Sequence, residues 1–183
     1  MSDSDLIEKI LSGDQVAVRV LIDRHKNYAF TIAYRVVGSR EEAEEVAQDA
    51  FVKALRSLNK FKGGARFTTW FYRIVFNTAV SLKRKKKLPT EEITDFKEYN
   101  SVANHHQLYD EEKSKYLNIA LSRLKDEDSL VLTFYYLKEL NMEEISAITG
   151  FSSNTLKVKI HRARKRLAVV LRDILKEEVN LLI

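Results

Sequence analysis

The stretch NMEEISAITGFSSNTLKVKIHRARKRL, residues 141–167, decides the fold. Asn141 followed three residues later by Glu144 is a capping signature, and Ile145 and Ile148 lie one turn apart before Gly150, a residue suited to ending a helix. A second helix then starts at Ser152 or Ser153, either of which can cap it, and it buries Leu156, Ile160, Ala163, Leu167, Leu171 and Ile174 along one stripe. Its other face carries Asn154, Lys157, Lys159, His161, Arg162, Arg164, Lys165 and Arg166. Two helices joined by a tight glycine turn, the second strongly basic, have the form that places a recognition helix in a major groove. Cations on phosphates would give salt-dependent affinity, while polar groups near the helix start would read base edges. A solvated basic helix at a domain edge is the plainer reading of the same pattern.

Upstream, helical spacing continues at about 111–124 on Tyr116, Leu117, Ala120, Leu121 and Leu124, and at 129–138 on Leu130, Val131, Phe134 and Leu137. Residues 88–110 lose all periodicity and mix Pro, Thr, Asn, His and acids, as a tether does. The chain therefore divides into a domain at 1–88, a linker at 89–110 and a domain at 111–183. In the first domain a short helix carries Leu6, Ile7, Ile10 and Leu11. A long one runs from an Asp14 cap through Val16, Val20, Leu21, Tyr28, Ile32 and Val36 to Gly38. Ser39 with Glu42 predicts a capping box opening a third helix on Ala43, Val46, Ala47, Ala50, Phe51, Ala54, Leu55 and Leu58. After the glycine pair Gly63-Gly64, a fourth is predicted from Thr68 to Lys87, with Phe71, Ile74, Val75, Thr78 and Leu82 inward and Pro89 ending it.

One proline and five glycines in 183 residues argue against an all-β fold and for an all-α one built as two small helical domains. With no cysteine there is neither a disulfide framework nor a thiolate metal site. The start of the chain is acidic at Asp3 and Asp5, unlike a secretory signal, and no run approaches the roughly 20 apolar residues of a membrane span, so no membrane insertion is expected. Nor does the end of the chain, near Ile183, suggest an appended sensory domain.

The net charge of +5 is unevenly spread. Residues 1–90 carry 17 basic and 10 acidic side chains, residues 91–130 carry 5 and 10, and residues 131–183 carry 9 and 6. Two basic blocks flanking an acidic middle suggest two contacts with a polyanion, and nucleic acid leads the candidates. The first block ends in Lys83-Arg-Lys-Lys-Lys87, and Arg73, Asn77, Ser81 and Arg84 fall on one polar stripe of the same helix. Phe67, Trp70, Tyr72 and Phe76 interleave with it and cannot all be buried on one helix. Aromatics among cations suit single-stranded DNA, whose bases stack on rings while Arg and Lys follow the backbone. Most aromatics of a small helical domain are core, and the residues alone leave both readings open.

Three segments carry a family resemblance: Glu42 to Ala54 (EAEEVAQDAFVKA), Phe61 to Ala79 (FKGGARFTTWFYRIVFNTA) and Met142 to Leu167. In this order the chain resembles bacterial sigma factors of the extracytoplasmic-function (ECF) type, within the sigma-70 family. The resemblance implies a sigma region 2 domain in the first half and a region 4 helix-turn-helix in the second. It implies that Glu45, Gln48 and Asp49 dock on core RNA polymerase, an acid and amide patch suiting a basic protein partner rather than DNA. It further implies that Phe61, Lys62, Gly63, Gly64, Ala65, Arg66, Phe67 and Thr68 capture a flipped base of the nontemplate strand at the minus-ten element, with Trp70, Arg73, Asn77, Arg84 and Lys85 completing that site. Extruding the base costs a few kcal/mol of unstacking. The minus-thirty-five duplex would be read by Ser153, Asn154, Lys157, Val158, His161, Arg162 and Lys165. Lysine at 157 and 159, where many relatives carry arginine, lacks the fork that grips guanine. An anti-sigma factor is a further implied partner. A transcription factor of this kind acts in the cytoplasm, without catalysis, cofactor or metal.

Two other classes fit less well. A stand-alone helix-turn-helix regulator would leave the acidic patch and the aromatic basic helix without a role. A nuclease would have to draw on His25, His105, His106 and His161, and no H-x-x-x-H, acidic-cluster or glycine-rich phosphate motif supports it.

Overall fold

The computed structural model describes residues 1–61, 63–86, 111–137 and 140–181. Lys62, Lys87 and the linker with His105 and His106 lie outside them. The described residues form eight α-helices: α1 (Asp3–Leu11), α2 (Gln15–Val37), α3 (Arg40–Arg56), α4 (Phe67–Lys86), α5 (Glu111–Ser122), α6 (Asp126–Leu132), α7 (Met142–Thr149) and α8 (Ser153–Leu181). A 3-10 turn at Leu58–Lys60 follows α3, and a π-helical turn at Thr133–Leu137 extends α6. The all-α expectation holds, and the chain gathers into two units.

The first unit is Met1–Thr90 with Leu140–Ser152. Asp14 caps α2 by accepting from the Val16 and Ala17 N–H groups, and α2 ends at Gly38 in the left-handed region at φ 79°. α7 ends the same way at Gly150, φ 77°, a conformation costly for any residue with a Cβ. The box at Asn141 and Glu144 is reciprocal, each side chain accepting from the other's backbone N–H. The box expected at Ser39 is only half made. Ser39 Oγ accepts from the Glu42 N–H, but the Glu42 carboxylate turns away to pair with Lys86. A full box caps α1 instead, between Ser2 and Asp5, and the Ser2 backbone and hydroxyl donors hold the Asp5 carboxyl below its ordinary pKa.

The core of this unit forms where α2, α3 and α4 bury Ala29, Ile32, Val46, Ala50, Phe51, Phe71, Tyr72 and Val75 against one another. Small alanines on α2 and α3 let the helices approach, and the aromatics of α4 fill the space between. Tyr72 has no exposed surface, and burial pushes its phenol well above the usual range. Leu55, Ile74 and Leu82, expected inward, are only half-buried. Leu58 reaches the core from the 3-10 turn rather than from α3 itself. α7 packs on α4, where Thr69 Oγ1 donates to Glu144 Oε1 at 3.1 Å. By contact, Leu140–Ser152 groups with the first unit.

The second unit contains α5, α6 and α8. Leu121, Leu130, Val131, Phe134, Leu156, Ile160, Ala163, Leu167 and Ile174 form its buried face. α6 starts at Asp126, three residues earlier than the apolar spacing predicts. Three acids in its first turn favour the positive end of the helix dipole and supply the earlier start.

Candidate nucleic-acid interface

α3 shows two chemically distinct sides. Its inward stripe of Ala43, Val46, Ala47, Ala50 and Ala54 is buried, so Glu45, Gln48 and Asp49 are left exposed. Val52 falls on that exposed face one turn further on and is 46% exposed. An acid and amide patch with an apolar residue beside it has the composition of a protein-docking surface. Sequence reading left Val52 off the inward stripe but gave it no role, because a single valine among charged residues carries no motif.

α4 sorts its aromatics by depth. Phe67, Phe71 and Tyr72 are buried, whereas Phe61, Trp70 and Phe76 are half-buried. Phe61 and Trp70 lie 5.3 Å apart by ring centroid, and Phe67 sits beneath both at 5.9 and 5.8 Å. Rings available to a base are thus Phe61 and Trp70, with Phe67 as their floor. Gly63, Gly64, Ala65 and Arg66 are exposed and Thr68 is half-buried. Gly63 holds φ 69°, which keeps a side chain off the loop. The Arg66 Nε lies 3.6 Å from Glu144 Oε1, although its side chain stays largely exposed.

Arg73, Asn77, Arg84 and Lys85 are all exposed on α4. Their neighbours in the basic run are committed within the chain: Lys83 donates to the Val36 carbonyl at 2.8 Å, and Lys86 pairs with Glu42. Asn77 opens into a cleft lined also by Lys53, Ser57, Ile74, Thr78 and Ser81, in which Lys53 Nζ donates to Thr78 Oγ1 at 3.2 Å. An ammonium, two further hydroxyls and an amide make this cleft suited to a nucleotide's phosphate and base edge. Lys53 and Ser57 went unseen in the sequence because they lie at the end of α3 and on its C-cap, twenty or more residues from Asn77.

On α8, Ser153, Asn154, Lys157, Val158, His161, Arg162 and Lys165 are all exposed. Three other cations of the helix are engaged in their own unit. Lys159 donates to Glu127 at 2.6 Å, Arg166 pairs with the buried Asp128, and Arg164 lies 5.7 Å over the Tyr136 ring. This partition predicts different salt dependences. Lys157→Ala removes an exposed cation and is expected to lower the slope of log K against log salt for duplex binding by about 1. Lys159→Ala leaves that slope near its wild-type value and costs about 0.5 kcal/mol of stability. Anisotropy titrations of a duplex promoter fragment at several salt concentrations measure both slopes.

Among the described residues, no cluster of three metal-ligating side chains occurs, and no helix is long and apolar enough to cross a membrane.

Comparison with known proteins agrees with this geometry. Residues 21–88 match the Sigma-70 region 2 family and residues 116–167 match Sigma-70 region 4. The chain is 31% identical to the ECF RNA polymerase sigma factor SigW of Bacillus subtilis, over 92% of this chain and 96% of that protein. It is 29% identical to the ECF RNA polymerase sigma-E factor of Escherichia coli strain K12, over 90% and 92%. Among solved structures, RpoE of Bartonella quintana, in complex with the anti-sigma factor NepR, aligns with a TM-score of 0.65 at 21% identity, over 84% of this chain and 96% of that one. CnrH, in complex with the cytosolic domain of CnrY, aligns at 0.61 and 24%, over 93% and 97%. These two likenesses are of fold, whereas the identity to SigW across nearly the whole of both chains fixes kinship: this chain belongs to the ECF sigma factors of the sigma-70 family.

Proposed function

We infer that this protein binds core RNA polymerase and directs it to specific promoters, so initiating DNA-templated transcription. The observation that carries the reading is the division of one helical unit into an exposed acidic face on α3 and an exposed face of rings and cations on α4. The first suits a basic protein surface, the second an unstacked DNA strand. In this reading Glu45, Gln48 and Asp49 dock on polymerase. The segment 61–68 with Trp70, Arg73, Asn77, Arg84 and Lys85 holds the nontemplate strand at the minus-ten element, and the exposed residues of α8 read the minus-thirty-five duplex. Residues 1–88 serve the first two tasks and 111–183 the third. The protein acts in the cytoplasm as a regulatory subunit rather than as a catalyst, and an anti-sigma factor of the kind bound to the RpoE relative is an expected partner.

Asn77→Ala tests the strand-reading assignment. Loss of one side-chain hydrogen bond to a base costs about 1–2 kcal/mol, or roughly tenfold. Runoff transcription by polymerase carrying the variant is expected to fall by that factor on the preferred promoter and to lose discrimination at one base position. Equal loss on every base substitution would remove Asn77 from base reading.

A further inference from the structure

The similarity to Sigma-70 region 2 begins at residue 21 and leaves α1 outside it. α1 is nevertheless tied to the floor of the strand-facing aromatics. Asp3, in its first turn, accepts from Arg24 through Oδ1 at 2.6 Å, and its Oδ2 lies 3.1 Å from His25 Nε2. Arg24 also donates to the Met1 carbonyl at 3.0 Å, so the start of the chain is held on α2. His25 is 4% exposed, with its ring centroid 5.4 Å from Phe67 and edge contacts to Phe71 and Tyr72 at 6.2 and 6.3 Å. Beyond Phe67 come the two half-buried rings, Phe61 and Trp70. One line of contacts therefore runs from the Asp3 carboxylate through an imidazole to the rings on which a base would stack.

Packing alone does not call for this imidazole. A buried polar ring carries a desolvation cost that an apolar ring of similar size avoids, unless a hydrogen bond offsets it. What the imidazole adds is direction. A carboxylate on one ring nitrogen fixes its rotation, and aromatic neighbours respond to the angle at which an edge meets a face.

We propose that His25, oriented by Asp3, is a positioning residue for base capture: it sets the stance of Phe67, on which Phe61 and Trp70 rest. The proposal rests on the reading of segment 61–68 as the strand-capture site. His25 makes no contact with DNA in it, and α1 becomes part of the promoter-reading apparatus through the fold alone.

The test uses the full chain bound to core polymerase. Its probe is the fluorescein-labelled nontemplate strand of the strongest promoter found by wild-type runoff transcription. His25→Phe keeps a ring and loses the bond to Asp3, Asp3→Ala removes the carboxylate from the other side, and Asp3→Asn keeps an acceptor. His25→Phe and Asp3→Ala are expected to weaken strand binding about fivefold to tenfold, with duplex minus-thirty-five binding and the amount of core bound unchanged. Asp3→Asn is expected to restore strand binding close to wild type. Asp3 is 22% exposed, so its removal opens no core cavity and remains informative even where His25→Phe folds poorly. Strand affinities within about twofold of wild type for both Asp3→Ala and His25→Phe, whatever their melting temperatures, would reduce the pair to a structural tie between α1 and α2. A wild-type chain that yields no promoter start at all contradicts the functional reading instead, so the two failures are distinguishable.

Discussion

Asp49→Lys is expected to abolish promoter-specific transcription while leaving the protein folded. Asp49 is exposed on α3, and α3 buries its other face, so reversing this charge disturbs no packing. Its effect falls on whatever meets the patch of Glu45, Gln48 and Asp49. Placing like charges opposite one another in a docked surface costs several kcal/mol, and about 3 kcal/mol is roughly a hundredfold in affinity. Co-purification with core polymerase and runoff transcription should fall together, with the melting temperature within a few degrees of wild type. A variant that still binds core as wild type does would move the polymerase contact off this face of α3. Val52→Asp, one turn along, provides a second check: Val52 is exposed and outside the core, so the variant is expected to weaken core polymerase binding without lowering the melting temperature.

Phe71→Ala should have the largest effect on stability. Phe71 has no exposed surface, its ring centroid lies 4.6 Å from that of Phe51, and it stacks on Phe67 at 5.7 Å with the planes 6° apart. Removing a fully buried phenylalanine costs about 3–5 kcal/mol in transfer and cavity terms, against a total stability of only about 5–15 kcal/mol for an ordinary domain. Thermal unfolding of the first unit should shift down by about 10 °C or more. Strand capture should fail with it, because Phe67 loses the ring it stacks on. A small shift, within about 2 °C, would show that α4 is held by something other than this aromatic cluster.

Much of this architecture is written locally. The Asp14 cap, the reciprocal box of Asn141 and Glu144, and the two left-handed glycines that stop α2 and α7 each depend on residues a few positions apart, so sequence spacing exposes them. Ser39 shows where such spacing misleads. Its partner Glu42 had a better option in Lys86, forty-four residues away, and the box stayed half made. The start of α6 differs from its expected place for another reason: apolar periodicity locates the buried face, not the acidic first turn that precedes it.

The candidate site divides along the same line. The outward faces of α3 and α8 followed from helical period, whereas Glu45, Gln48 and Asp49 and the seven α8 residues were singled out by the family resemblance, and all of them are exposed. Which cations remain available for DNA did not. Lys83, Lys86, Lys159 and Arg166 look identical in sequence to Arg84, Lys85, Lys157 and Arg162, and only partners brought in by tertiary structure separate the two groups. The same holds for Phe67, a capture residue by its place in the loop but a buried support in the fold, and for Lys53 and Ser57, which reach Asn77 across a helix pair.

Runoff transcription with bacterial core polymerase, on a set of upstream fragments, is the most direct test of the central claim. Transcripts are expected from defined starts that require this protein and that the free protein does not mark by tight binding on its own. No start above core polymerase alone, together with tight sequence-specific binding by the free protein, would contradict it and make the chain a stand-alone regulator.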